Sequence, residues 1–164
     1  MDPIAVTNTF TAMSTTYTTG VTKASEAQRA AITALLKAEH LPAEDLPPSL
    51  DHFFVVEQEG AVVGAIGLEA YGQVGLLRSM VVDKASRGQS LAAQLVTELE
   101  RYAAALGLHT LYLLTETADQ YFEKKGYERI HRAEVPEALK ASTEFSHVCP
   151  ASATVMKKAL SVSN

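Results

Sequence analysis

A strand, a short polar loop and a helix follow one another directly in the middle of the chain. Leu76 to Val82 is an apolar run, and the loop after it leads into Arg87-Gly88-Gln89-Ser90-Leu91-Ala92. Apolar residues then recur at spacings of three and four over 88–106, which predicts an amphipathic helix. The first N–H groups of a helix lack partners inside it and favour anions. The segment therefore predicts a phosphate cradle.

Hydrophobic periodicity and turn residues predict the other elements. The strands are expected at 21–23, 53–57, 61–69, 75–82, 108–115, 127–132 and 154–160. Besides 88–106, helices are expected after the capping boxes 25–28 and 117–120, with a helical turn at 136–143. Strand 108–115 is too apolar to face water, so it should be central. This order predicts an α/β (α+β) fold with a mixed, mostly antiparallel sheet and helices on both faces.

Composition narrows the class of protein. The chain has 164 residues, of which 47% are apolar, so one folded domain is expected. The net charge of −5 and the lack of a long basic run argue against nucleic acid and membranes as partners. Cys149 is the only cysteine, which favours a reducing, cytoplasmic setting. We interpret 1–16 as a tail or extra strand and 17–164 as a single domain.

Two motifs carry a family resemblance. The loop 87–92 follows a strand that ends in Val-Val-Asp, and it resembles the acetyl-CoA loop of the GNAT N-acetyltransferase superfamily, Arg/Gln-x-x-Gly-x-Gly/Ala. Phe122-Glu-Lys-Lys-Gly-Tyr127 resembles the family segment Tyr-Glu-Lys-x-Gly-Phe. The segments 69–79, 113–118 and 144–152 look like the arsenic-resistance branch, which is associated with arsinothricin-like or phosphinothricin-like amino acids. The resemblance covers 21–160.

The resemblance implies a cofactor site. Acetyl-CoA would lie in a V-shaped gap between the strand before the loop and the parallel strand after its helix. Ser90 stands where the family has glycine, which predicts weaker cofactor affinity. The implied cofactor-binding residues are Met80, Val81, Val82, Arg87, Gly88, Gln89, Ser90, Leu91, Ala92, Thr117 and Phe122, the first three through backbone groups. Thr117 is also interpreted as a helix N-cap.

The implied reaction is attack of a neutral amine on the acetyl thioester. The departing sulfur needs a proton, which a tyrosine in the family supplies. Phe122 occupies that position here and has no proton to give. The adjacent Tyr121 is the candidate acid, although a tyrosine that simply packs on the sheet is an equally good interpretation. Water or proximity alone are the remaining alternatives.

Glu69 and Arg78 are the other candidate site residues. An arginine inside an apolar strand needs an anion or water. We expect Arg78, with its neighbour Ser79, to bind an anionic group of the substrate, and Glu69 to orient the amine or relay its proton. The alternative is that Glu69 and Arg78 form a structural ion pair.

The remaining expectations concern substrate and partners. Cys149 is expected to be a small buried residue that lines the substrate pocket, and the histidines show no metal-ligand spacing. The expected substrate is a small, amino-acid-like amine. A non-catalytic acyl-CoA-binding or sensing domain and a protein N-acetyltransferase are the alternatives. The resemblance also implies a homodimer formed through the C-terminal strands.

Overall fold

A computed structural model describes residues 20–142 and 152–161. Within these ranges there are seven strands: β1 (Val21–Lys23), β2 (Phe53–Gln58), β3 (Ala61–Tyr71), β4 (Val74–Val82), β5 (Thr110–Thr115), β6 (Glu128–Ile130) and β7 (Thr154–Ala159). The same described residues form four α-helices: α1 (Arg29–Ala38), α2 (Leu91–Ala105), α3 (Asp119–Lys124) and α4 (Glu137–Lys140). The predicted tail or extra strand, 1–16, and the predicted pocket residue Cys149 lie outside the described ranges.

The strands form one sheet in the order β1-β2-β3-β4-β5-β7-β6. All neighbouring pairs are antiparallel except β4 and β5, which are parallel. Strand β5 is internal, as its apolar sequence predicts. The mixed, mostly antiparallel α/β fold is therefore confirmed.

Alternating side chains of β2 and β3 divide the core between the two faces of the sheet. Phe53 and Val55 pack on one face with Ile32 and Leu36 of α1. Their neighbours Phe54 and Val56 pack on the other face, with residues of α2 and α3. The α1 face continues into a smaller cluster that includes Leu76, Tyr112 and Leu139 of α4. A period of two thus buries both faces under helices.

Strands β4 and β5 separate after a short paired stretch. Their register runs only from Val74 opposite Thr110 to Leu76 opposite Tyr112. Beyond this point β4 continues to Val82 and β5 to Thr115 without pairing with each other. The register between β3 and β4 also shifts, and Ser79 has a positive φ of 56°. Such a bulge takes backbone groups out of the ladder, and here it faces the gap between the strands.

Two helix starts differ from the prediction. Helix α2 begins at Leu91 rather than at 88, because Gly88 and Ser90 have φ values of 88° and 64°. The predicted N-cap role of Thr117 is wrong. Ala118 is the N-cap of α3, and the Thr115 hydroxyl accepts the Ala118 N–H at 2.9 Å.

Candidate active site

The gap between the splayed strands is a cleft of about 950 Å³. Its walls come from β4, β5, the loop before α2, the first turn of α2, and α3. Ten predicted cofactor residues line it: Met80, Val81, Val82, Arg87, Gly88, Ser90, Leu91, Ala92, Thr117 and Phe122. The predicted Arg78, Ser79 and Tyr121 line it as well. One fold feature therefore gathers residues from four separate stretches of sequence.

The loop before α2 has the shape of an anion cradle. Gly88 and Ser90 both have left-handed backbone, and Ser90 is the N-cap of α2 without a capping bond from its side chain. The first-turn residues Leu91, Ala92 and Ala93 line the cleft. Their N–H groups belong to the set that a helix leaves without internal partners, at its positive end.

Two side chains of the cradle loop bond to other elements of the fold. Gln89 is absent from the cleft wall, and its Oε1 accepts the Gln58 Nε2 at 2.7 Å. Arg87 Nη2 donates to Glu39 Oε1 at 2.6 Å. The Gln89 side chain is thus directed to the β2–β3 hairpin, and the contact of Gln89 with the cofactor stays a prediction.

These residues fit the pyrophosphate and pantetheine of CoA. The helix start supplies N–H donors to the cleft, and the β4 bulge supplies backbone groups along one wall. Lys125 also lines the cleft, with its Nζ 5.5 Å from the centre of the Tyr121 ring. This cation lies on the α3 wall, where an anionic ligand gains attraction from it.

Replacement of Ser90 by glycine should stabilise the protein. A non-glycine residue in left-handed backbone costs about 1–2 kcal/mol, and glycine removes this cost. Glycine also raises the conformational entropy of the unfolded chain, which cancels part of the gain in stability. We expect Ser90→Gly to raise the free energy of unfolding by about 0.5–1 kcal/mol in urea titrations. Ser90→Ala is the matched control, since it keeps the Cβ and the cost. Equal stability of the two variants would contradict this reason.

Tyr121 lies on the α3 wall of the cleft, beside Lys125. Its hydroxyl is buried and has no hydrogen-bond partner among the described residues. Burial raises the pKa of Tyr121, and the negative charge of Glu100 adds to the effect. The hydroxyl therefore stays protonated at neutral pH. Phe122 is buried instead, with its ring centre 5.3 Å from that of Tyr127.

A polar network holds α3 from beneath. Glu100 of α2 accepts hydrogen bonds from the Tyr127 hydroxyl at 2.9 Å and from Lys158 Nζ at 3.0 Å. Lys158 Nζ also donates to the Lys125 carbonyl oxygen at 2.8 Å. Burial, followed by the charge of Glu100, raises the pKa of Tyr127. The network connects α2, the end of α3 and β7, so it fixes the wall that carries Tyr121.

Arg78 lies at the centre of a buried cluster of charges. Its guanidinium is 0% exposed, donates to Glu69 Oε2 and lies 2.9 Å from Asp45 Oδ1. Its Nε also donates to Ser79 Oγ at 3.0 Å. The ion pair between Glu69 and Arg78, considered as the alternative, is thus present. The role of Arg78 toward the substrate stays a prediction.

The Arg78 cluster extends to the α4 side of the sheet. The Tyr71 hydroxyl donates to Glu69, and Ser142 also hydrogen-bonds Tyr71. Burial raises the pKa of Tyr71, and Glu69 reinforces the shift. Glu69 itself lies outside the cleft wall, in a neighbouring pocket. Sequence reasoning missed Asp45, which lies between α1 and β2 in a segment that contains Pro42, Pro47 and Pro48.

Metal sites and membrane-spanning helices are absent from the described residues. Within residues 20–142 and 152–161, no three His, Cys, Asp or Glu side chains are grouped as a metal site. In the same ranges no helix has the length and apolarity that a membrane crossing requires.

Comparisons with known proteins agree with this geometry. The model of the Acetyltransferase (GNAT) family matches residues 21–129. An amino-acid acetyltransferase of Pseudomonas syringae pv. tomato is 29% identical over 104 residues, which are 62% of this chain and 24% of that protein. Another, from Pseudomonas syringae pv. syringae, is 31% identical over 52% of this chain and 20% of its own length. The chain thus spans about a quarter of the length of these relatives.

Solved structures share the fold. N-acetylglutamate synthase from Neisseria gonorrhoeae, complexed with coenzyme A and L-arginine, superposes with a TM-score of 0.73 at 16% identity, over 85% of this chain and 32% of that one. Rv2747 from Mycobacterium tuberculosis, in complex with CoA, gives 0.71 at 23% identity, over 86% and 99%. With the family match over 21–129 and the splayed parallel pair, the conclusion is direct: the chain belongs to the GNAT acetyltransferase family.

Proposed function

We propose that this protein transfers the acetyl group of acetyl-CoA to the primary amine of a small, amino-acid-like molecule. The observation that carries the proposal is the cleft between β4 and β5, with an anion cradle at one wall and the Tyr121 side chain at another. The amino-acid acetyltransferases among the relatives support the substrate class. Arsinothricin-like and phosphinothricin-like amino acids are the finer candidates, from the resemblance to the arsenic-resistance branch.

The cofactor half of the site follows from the loop and the bulge. Backbone N–H groups from the loop and from the first turn of α2 would hold the pyrophosphate. Backbone groups of Ser79 to Val82 would hold the pantetheine and polarise the thioester carbonyl, which gains negative charge as the amine attacks. Acetyl-CoA supplies the activated acyl group; the chain supplies orientation and charge stabilisation.

In this proposal Tyr121 protonates the departing sulfur. Its side chain lines the cleft, its hydroxyl is buried beside it, and its raised pKa keeps the proton available at neutral pH. Phe122, at the position usual for the family acid, packs in the core. The proton source is thus displaced by one residue along α3.

The Arg78 cluster lies on the acceptor side. Ser79 and Arg78 line the cleft, and Glu69 contacts Arg78 from the adjoining pocket. Glu69 would accept or relay the proton of the amine, as far as its bonds with Arg78 and Tyr71 allow. Because Arg78 already has two carboxylate partners, we assign it to organising this side of the site.

Release of free CoA thiol over a panel of amines tests the proposed function. Amine-dependent release from acetyl-CoA, with the acetylated amine identified by mass spectrometry, is the expected result. Tight acetyl-CoA binding without amine-dependent release would instead favour the acyl-CoA-binding domain. Release with peptides alone would favour a protein N-acetyltransferase.

Removal of the Tyr121 hydroxyl should affect turnover rather than folding. We expect Tyr121→Phe to lower kcat by about 100-fold with little change in the KM for acetyl-CoA, since general acid catalysis contributes this much. Stability should not fall, because the buried hydroxyl has no partner in the described part of the chain. Steady-state kinetics and thermal unfolding measure the two effects.

The control for Tyr121 is Tyr127→Phe. This change removes a hydrogen bond to the Glu100 carboxylate, so it should lower the free energy of unfolding by about 2 kcal/mol. Its kcat should stay close to the wild-type value at a temperature where the variant is folded. If both variants keep wild-type kcat, Tyr121 is not the acid.

A further inference from the structure

We propose that Glu39 competes with the phosphates of CoA for the Arg87 guanidinium, and so limits how tightly the protein holds the cofactor. Glu39 thereby opposes CoA binding, and the protein releases the CoA product faster as a result. The inference rests on the cofactor half of the proposed function and is independent of which amine is acetylated. Neither the family match nor the relatives assign a role to Glu39.

Glu39 and Arg87 both lie in the wall of the cleft. Residues 39–42 form the wall at the end of α1, and residues 87–88 form the wall at the cradle loop. Arg87 Nη2 donates to Glu39 Oε1 at 2.6 Å, although 48 positions separate the two residues in sequence. The ion pair therefore connects two parts of the cleft wall that come from different elements.

The ion pair is accessible to solvent. The side chain of Arg87 is 52% exposed, and that of Glu39 is 20% exposed. An ion pair with such exposure changes an equilibrium by at most about fivefold. A phosphate that enters the cleft meets a guanidinium that it can reach and that is only weakly held.

The end of α1 keeps the Glu39 backbone in place. Glu39 is the C-cap of this helix, and the N–H groups of His40 and Leu41 donate to carbonyl oxygens of its last turn at 3.1 and 2.9 Å. His40 has the left-handed backbone, with a φ of 59°, that this Schellman motif requires. Because the helix end is closed, the Glu39 backbone cannot follow Arg87 when the guanidinium turns to a phosphate.

Both the helix and the cofactor disfavour a carboxylate at this position. The C-terminal end of α1 carries partial negative charge, which repels Glu39. CoA brings negatively charged phosphates into the same cleft, and they repel Glu39 as well. The contact with Arg87 offsets these costs. Glu39 and a bound phosphate therefore draw on the same positive charge.

The competition lowers CoA affinity in either geometry of the bound state. When Arg87 turns fully to the phosphates, its bond to Glu39 is lost. When Arg87 contacts both anions, it holds the Glu39 carboxylate near the phosphates, and the two anions repel each other. In both cases, removal of the Glu39 charge leaves more of the guanidinium charge to the cofactor.

Glu39→Gln tests the proposal. Glutamine keeps the length of the side chain and a carbonyl oxygen for Arg87, but it removes the charge. We expect CoA to bind this variant about fivefold more tightly in titration calorimetry. The gain should appear as slower CoA dissociation in stopped-flow displacement, and it should shrink as the salt concentration rises.

Glu98→Gln is the matched control. Glu98 also pairs with an arginine, Arg101, at 2.6 Å, and its side chain is 21% exposed. Neither Glu98 nor Arg101 is among the described residues that line the cleft. Loss of this negative charge should therefore leave CoA affinity nearly unchanged. Melting temperatures of both variants should stay near the wild-type value, since exposed ion pairs contribute little to stability.

The gain in affinity should also depend on Arg87. Arg87→Met should weaken CoA binding, because the cleft loses a cation. In that background Glu39→Gln should change CoA affinity by less than about twofold, since the Glu39 side chain is no longer held at the cradle and turns to water.

The outcomes separate this proposal from the proposed function. Unchanged or weaker CoA binding in Glu39→Gln overturns the competition, and so does an equal gain with and without Arg87 or an equal gain in Glu98→Gln. These measurements use CoA without any acceptor. Tighter, Arg87-dependent CoA binding in Glu39→Gln, without thiol release from any amine, would support the competition and contradict the proposed function.

Discussion

Replacement of Arg78 by methionine should destabilise the protein by about 3–5 kcal/mol, because it leaves the buried Asp45 carboxylate and the partly buried Glu69 carboxylate without their cation. Methionine keeps most of the volume and the flexible stem, so the effect isolates the charge. Equilibrium unfolding in urea, monitored by far-UV circular dichroism, measures the loss. Because whole domains are stable by only about 5–15 kcal/mol, this single change is expected to take much of the total.

Two further variants control for the arginine itself. Arg101→Met also removes an arginine that pairs with a glutamate, but this side chain is 72% exposed and its loss should change stability little. Addition of Asp45→Asn and Glu69→Gln to Arg78→Met should recover most of the loss, since the orphaned charges are then gone. If Arg78→Met costs no more than Arg101→Met, the cluster does not contribute to stability.

Introduction of a negative charge at the start of α2 should weaken cofactor binding strongly without harming the fold. In Ala92→Glu the new carboxylate lies in the first turn of the helix and lines the cleft. At about 5 Å from a phosphate and an effective dielectric constant of about 20, the repulsion is ~3 kcal/mol. We therefore expect CoA affinity to fall by about 100-fold in titration calorimetry. The helix dipole, in contrast, favours an acidic residue here, so the melting temperature should hold or rise.

Thr97→Glu is the control for Ala92→Glu. It adds the same charge to the same helix at an exposed position and should leave CoA affinity nearly unchanged at physiological salt. Equal losses in the two variants would indicate a general effect of net charge. Unchanged affinity in Ala92→Glu would mean that the phosphates bind elsewhere.

The order of strands and helices was predictable because each depends on local periodicity. The continuous apolar run Phe53–Val56 predicts β2, and the stripe from Leu91 to Leu99 predicts α2; both were found. The predicted splay of β4 and β5 came from the family resemblance, and the short register confirms it. The start of α2 was placed too early because an apolar period says nothing about φ. Gly88 and Ser90 interrupt the helix through their backbone.

The candidate site was only partly predictable, for a physical reason. The residues of the cradle are contiguous in sequence, so their motif can be recognised from the sequence alone. Asp45 and Arg78, in contrast, meet through the folding of a proline-rich loop onto the sheet, and no local pattern encodes that contact. The same applies to Gln89, whose side chain bonds to Gln58 on another strand. Long-range polar contacts decide which predicted residues face the ligand.

The position of β7 has a consequence for the order in which the site is completed. This strand follows β6 in the chain, yet it lies between β5 and β6 and provides Lys158 to Glu100 and to the end of α3. During synthesis β5 is therefore an unpaired edge until residues 154–159 emerge. The α3 wall that carries Tyr121 becomes fixed only when β7 has paired. The nascent chain should therefore form the anion cradle before it positions Tyr121, the proposed acid.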